Sequence, residues 1–153
     1  MSEIFPNEGL DVVLGVFPKG GAAPDPLYVG LFTGPDGTSV PAAAATRAAM
    51  GSGFAEVAYT GYALQPIAAS AWGAAGDKTV WSQATRGVDG PQVSFPAATA
   101  AYNPANPIAG FFLVTAASGG YVIYYSNFDD TSTIASLSIG DVIKVTPTLG
   151  FGG

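Results

Sequence analysis

The chain has no cysteine and no histidine, and little charge of either sign. Lys+Arg number 5 and Asp+Glu 11, so 10% of the 153 residues are charged, against about 25% in an ordinary soluble protein. Each shortage excludes something. Without Cys or His there is no Ser-His-Asp or Cys-His nucleophile system and no zinc site with those ligands. Without Cys there are no disulfides, so the fold must hold by packing alone. The five cations, Lys19, Arg47, Lys78, Arg86 and Lys144, are scattered along a chain of net charge −6. No basic patch for phosphates can be assembled from them, which argues against a nucleic-acid partner. Long apolar runs are missing too. The stretch 90–128 carries no charge, yet its longest apolar run, Ile108 to Val114, is far below the ~20 residues of a bilayer helix. The first residues lack a basic segment and an apolar core, so a signal peptide is not expected. The expectation is a soluble product with no membrane partner.

What is present is β grammar. Val, Ile and Thr number 13, 7 and 12, and Gly and Pro add 21 and 12, whereas the long helix formers Glu, Lys, Arg and Gln together number 11. With 9 Phe and 7 Tyr there is enough large apolar material for one core. The composition predicts an all-β protein: a single-domain antiparallel β-sandwich or jelly roll of about eight strands over residues 1–153. Residues 1–6 read as an N-terminal arm and residues 152–153 as a flexible tail. No repeat of fixed period is visible.

One short helix is expected near the start. Asn7 is a good N-cap, and Glu8 and Asp11 suit the positive end of the helix dipole. Leu10, Val13, Leu14 and Phe17 fall on one stripe, ended by Pro18. The stripe over Glu8 to Phe17 reads as a plug on one end of the sheet core, with docking on a neighbouring subunit as the alternative. Leu27 to Thr33 is a strand, and Gly34-Pro35-Asp36-Gly37 a turn. Thr38 to Phe54 reads as a long loop. Ala55 to Tyr62 alternates as a strand, with Gln65 to Ala69 extending it. Gly73 to Asp77 reads as a turn, Thr79 to Ser82 as a strand, Val88 to Pro91 as a turn and Gln92 to Phe95 as a strand. The strongest β signal is the pair Ile108 to Thr115 and Tyr121 to Ser126. They flank Ala116-Ala117-Ser118-Gly119-Gly120, whose glycines suit a hairpin turn. Asp141 to Thr146 alternates, and Pro147 should end it.

Nothing in this pattern announces chemistry. Asp129-Asp130 with Thr131 offers oxygen ligands for calcium, but the further acids at regular spacing are missing. A solvated turn is the expectation, and no metal or cofactor is called for. Glu56 would need a second carboxylate for glycosidase work and reads instead as an outward strand residue. Trp72, Trp81 and Tyr102 are candidate sugar platforms, although aromatic residues beside strands usually belong to the core. Gly51-Ser52-Gly53 precedes no helix and is not a phosphate loop. No catalytic residue is assigned, and an enzyme is the last expectation.

Five motifs in order carry a family resemblance: Leu27-Tyr28-Val29-Gly30-Leu31-Phe32-Thr33 after the short helix, Glu56 with Thr60-Gly61-Tyr62-Ala63-Leu64-Gln65-Pro66-Ile67, Ser94 to Ala100, Gly110-Phe111-Phe112-Leu113-Val114 with Ser118-Gly119-Gly120 and Tyr124-Tyr125, and Gly140 to Val145. The set resembles small virion proteins of tailed bacteriophages, variously of head-decoration, head-fibre or tail type. It spans about Leu10 to Phe151. Members often carry Arg where Leu64 stands, and a Trp where this chain has Tyr102.

The resemblance implies a structural virion protein without a catalytic residue. The leading expectation is a capsid decoration or cement protein on the capsid surface. It would bind the major capsid protein as a homotrimer and stabilise the assembled lattice. The alternative is a tail, baseplate or fibre component, with host-surface carbohydrate binding as a further option. Contact candidates are apolar residues expected to lie exposed outside strands: Ile4, Phe5 and Pro6 in the arm, Pro41 and Met50 in the long loop, and Leu149 and Phe151 at the C-terminal end.

Overall fold

A computed structural model describes residues 3–16, 20–80, 83–128 and 131–152. Its centre is three antiparallel strands, β2 (Leu27–Thr33), β8 (Ile108–Val114) and β9 (Val122–Asn127). All residues of β8 and β9 are buried. A strand covered on both faces needs a near-continuous apolar run, and Ile-Ala-Gly-Phe-Phe-Leu-Val supplies one. Short strands complete the sheet: β1 (Glu3–Ile4) pairs with β9, while β3 (Ala55–Glu56) and β4 (Gln65–Ile67) both pair with β2. The order is β1-β9-β8-β2-β3, with β4 beside β3's stretch of the β2 edge.

The two faces of this sheet carry separate apolar clusters. On one face Val29, Leu31, Phe111, Leu113 and Tyr124 meet Val57, Tyr59, Phe95, Ile143 and Val145. These partners come in part from a two-stranded sheet, β7 (Val93–Ser94) with β10 (Lys144–Val145). On the other face Phe32, Phe112, Val114, Val122 and Tyr125 are covered by Ala45 and Met50, with Val40, Phe54 and Leu64 at the margin. The long loop 38–54 is therefore the lid of a core layer. A third sheet joins β5 (Gly76–Val80), β6 (Gln83–Asp89) and β11 (Thr148–Gly152) in the order β11-β6-β5. The protein is all-β and antiparallel with one short helix, as the composition predicts.

That helix, α1 (Asn7–Val16), is turned the other way from expectation. Leu10 and Leu14 are exposed, and the buried position is Gly9. A side chain at Gly9 would lie 2.5 Å from the Ile123 carbonyl oxygen. The helix thus rests almost directly on the backbone of β9, an approach only glycine permits. The leucine stripe does not plug the core, while Phe17 lies outside the described residues. Periodicity gives a stripe but not its direction, and a close backbone approach outweighed it.

Two further expectations change. The stretches 73–77 and 88–91, read as turns, contribute to β5 and β6. Pro147 does not end the β structure, because β11 follows and pairs along β6. Gly152 lies in that strand rather than in a free tail, and Gly153 is outside the described residues.

The exposure that singled out the contact candidates is absent for those described. Ile4 lies in β1 opposite Tyr125. Phe5 is half-buried, with its ring edge on Tyr124 at 5.1 Å. Pro6 and Pro41 are buried, Met50 is part of the second cluster, and Leu149 packs against the first. Phe151 lies in β11, with its side chain outside the description. The arm and the long loop fold back onto the central sheet, while the C-terminal strand pairs with β6 and sends Leu149 against the first cluster.

Candidate binding groove

After two residues of pairing with β2, the chain departs from β3. One more bond, from Val57 N–H to the Leu31 carbonyl at 2.9 Å, holds the departure. The segment 59–62 then turns back, with Tyr62 N–H donating to the Tyr59 carbonyl at 2.9 Å and Gly61 at φ +102°. That left-handed value favours glycine. The turn raises a wall of rings: Tyr62 lies parallel to Phe95 (5.9 Å, 7°), and Tyr59 sets its edge against both Tyr62 and Tyr102.

Opposite this wall stands Arg47, from the long loop. Its Nε donates to Glu56 Oε2 at 2.7 Å and its Nη2 to Glu56 Oε1 at 3.0 Å. The two parallel bonds match the fork of the guanidinium to the carboxylate. Arg47 Nη1 donates to the Ala117 carbonyl at 2.9 Å, in the turn between β8 and β9. One side chain therefore ties together three segments distant in sequence. The bonds to Glu56 hold the Arg47 pKa above its usual value, against the opposing effect of partial burial.

Cavities open on both sides of this pair. One of about 600 Å³ is lined by Tyr59, Tyr62, Ala58, Ala63 and Leu64. The other, about 380 Å³, is lined by Thr46, Ala48 and the turn Ser118-Gly119-Gly120. Arg47, Glu56 and Ala117 line both, so the ion pair divides one open groove.

The groove's polar atoms suit binding rather than proton transfer. Tyr62 Oη accepts from Leu31 N–H at 3.0 Å. Burial, then the neighbouring Glu56, push its pKa well above the ordinary tyrosine range, against the pull of that bond. Tyr59 donates its hydroxyl to the Pro96 carbonyl at 2.7 Å. Arg47 keeps unused N–H groups and Glu56 unused lone pairs, a donor beside an acceptor. Among the described residues no three carboxylates gather to hold a metal.

Of the residues singled out from sequence, Glu56 alone is central here, and it is paired instead of facing water freely. A guanidinium stands beside it where a glycosidase would need a second carboxylate. Trp72 is half-buried against the core, and Tyr102 receives the Ala58 N–H at 3.4 Å. Neither is a free platform, and Trp81 and Asp129-Asp130 lie outside the described residues. Gly51 and Gly53, at φ +105° and +82°, form an exposed turn. Arg47 and Tyr59 were given no binding role from sequence, and Tyr62 entered only within the motif that follows Glu56. The one available signal was a lone Arg inside the alanine-rich run 42–50.

A family model described as Podophage GP4 fiber I protein gp80 matches residues 1–148. A comparison with curated proteins finds no match.

Proposed function

Because the chain belongs to the podophage GP4 fiber I protein gp80 family, a group of phage virion structural proteins, we propose that it is a subunit of a virion fibre on the tail. The family match over residues 1–148 carries this reading. The fold supports it over capsid cement. A cement role was expected to use the arm, the long loop and the C-terminal end as free apolar contacts, and their described residues are spent on the chain's own core. The role proposed is non-enzymatic and needs no cofactor, since the groove offers no histidine, thiol or unpaired carboxylate as a base.

Immunogold labelling of purified particles, with copy number from gel densitometry, tests this. Label confined to fibres, at a small multiple of the tail's symmetry, is expected. Label spread over the capsid with copies in the hundreds sinks the fibre reading and restores the cement one.

The groove is the part of such a subunit that we assign to a small polar ligand of the host surface. Adjacent hydroxyls of a sugar can bridge the free N–H groups of Arg47 and the lone pairs of Glu56. A glycan array, with Arg47→Ala as the control, checks this: binding should be present and lost in the variant. An array without any binder removes the assignment.

A further inference from the structure

The ion pair in the groove is a bar with room on both sides. Arg47, Glu56 and Ala117 line the cavity of about 600 Å³ and the cavity of about 380 Å³ alike. Each volume falls within the range of a whole small-molecule site, about 300–1,000 Å³. A single sugar ring seated on the pair therefore leaves space unfilled on either side of it. The two side chains of the pair keep 22% exposure each, so a longer ligand can cross over them and still touch both.

The two sides differ in chemistry. The larger is walled by the rings of Tyr59 and Tyr62, with Leu64 beside them. That is carbon surface, suited to the C–H face of a sugar ring. The smaller is bordered by Thr46 and the turn Ser118-Gly119-Gly120. Gly119, at φ +64°, has nothing within 4 Å of the place a side chain would take. A ligand on that side meets hydroxyls and bare backbone, both of which hydrogen-bond to sugar hydroxyls.

Charge narrows the ligand further. Among the described residues, Arg47 and Glu56 are the only charged groups lining either cavity, and they neutralise one another. The whole chain carries a net charge of −6, which repels an anionic polymer at a distance. A groove without net charge on an acidic body disfavours uronic and sialic acids. It also has no spare carboxylate for an amino sugar, because Glu56 is held by Arg47.

We propose that the groove takes a neutral oligosaccharide of at least two units lying across the Arg47–Glu56 pair, one unit on the Tyr59–Tyr62 wall and another over the Ser118-Gly119-Gly120 turn. This rests on the sugar assignment already made for the groove and adds the length and the charge of the ligand.

A glycan array tests it when neutral sugars are printed as single units and as chains of increasing length, beside uronic-acid and amino-sugar chains. Binding should be weak for single units and should rise when a second or third unit is added. Acidic chains should bind less well than neutral ones at low salt, and added salt should narrow that gap. Two variants then plug one cavity each: Ala63→Trp on the tyrosine side and Ser118→Trp on the turn side. Both positions are exposed, so melting temperatures should be unchanged; if either variant melts early, Ala58→Trp and Ala48→Trp replace the pair. Calorimetric titration with the best-bound neutral chain should show each plug weakening it at least about tenfold. Single units that bind as tightly as chains overturn the proposal. So does a loss confined to one of the two plugs, or a preference for acidic or amino-sugar chains. Each of those results, with binding still lost in Arg47→Ala, leaves the sugar assignment standing. An array without any binder removes both.

Discussion

Gly30 and Phe112 face one another across β2 and β8, and the Phe112 ring fills the space a Gly30 side chain would occupy. Two residues on, the arrangement is reversed: Phe32 faces Gly110 and lies over it. Each glycine is covered by the phenylalanine opposite, which keeps both strands flat against each other under the lid of the long loop.

A methyl group at Gly30 would come within 2.6 Å of Phe112 Cε1 and 2.7 Å of Leu64 Cδ2. Gly30→Ala should lower stability by about 1–3 kcal/mol through overpacking, and Phe112→Ala, fully buried, by about 3–5 kcal/mol. The double variant should lose clearly less than the sum, because the ring that clashes is gone. Denaturant unfolding of the three variants measures this. Strict additivity would show that the ring does not cover Gly30.

Gly9 and Gly15 form an internal control on α1. Gly9→Ala places a methyl 2.5 Å from the Ile123 carbonyl oxygen, while at Gly15 nothing lies within 4 Å. Alanine favours a helix interior by about 1 kcal/mol over glycine. Gly15→Ala should therefore raise the melting temperature. Gly9→Ala should lower it and speed amide hydrogen exchange throughout α1, because the helix must lift off β9. Equal effects at both positions would mean that the helix does not rest on that strand.

Arg47→Ala removes three hydrogen bonds that join three segments. The pair is partly exposed, 22% for each side chain, so solvent screens it and the global loss should be only about 1 kcal/mol. The local effect should be larger. Amide exchange should accelerate in 42–50 and 115–120 before it changes in β8. Arg47→Lys should behave like alanine in this respect, since an ammonium cannot reproduce the fork.

The tyrosines set the alkaline limit of stability. Tyr62, Tyr125 and Tyr59 all have pKa values raised above the ordinary 10.0, chiefly by burial. The unfolded chain releases these protons near pH 10 and the folded chain holds them, so stability is full below that pH and is lost as pH rises above it. Melting temperature should fall above about pH 10, as thermal scans across an alkaline pH series would show. Two variants separate the contributors. Tyr62→Phe leaves the Leu31 N–H without its acceptor and should destabilise by about 1 kcal/mol. The buried Tyr125 hydroxyl has no hydrogen-bond partner among the described residues, so Tyr125→Phe should be neutral or stabilising.

The central strands were legible because Leu27–Thr33, 108–114 and 121–126 are long apolar and β-branched runs, which no other element accommodates. The hairpin turn was legible from Gly119 and Gly120, both at positive φ. The third sheet was not. Gln83 to Asp89 reads as polar because β6 lies away from the main core and is ordered by its neighbours β5 and β11. The helix was found but its face was not, since Gly9 contributes nothing to a hydrophobic pattern and yet decides the contact. The groove was invisible for another reason. Arg47, Glu56 and Ala117 meet only once the loop, β3 and the hairpin turn are in place, and no spacing along the chain records that meeting.

The strand of two residues at the beginning, Glu3–Ile4, has a bearing on how the protein is handled. It closes the outer side of β9, whose backbone groups would otherwise stand open. An open strand side is a template for the strand of any other chain. Trimming residues 1–6 for expression, or crowding them with a tag, would uncover that side of β9 to strand addition and also strip Phe5 and Pro6 from the margin of the core. Poor solubility of a shortened chain should be read first as a lost border.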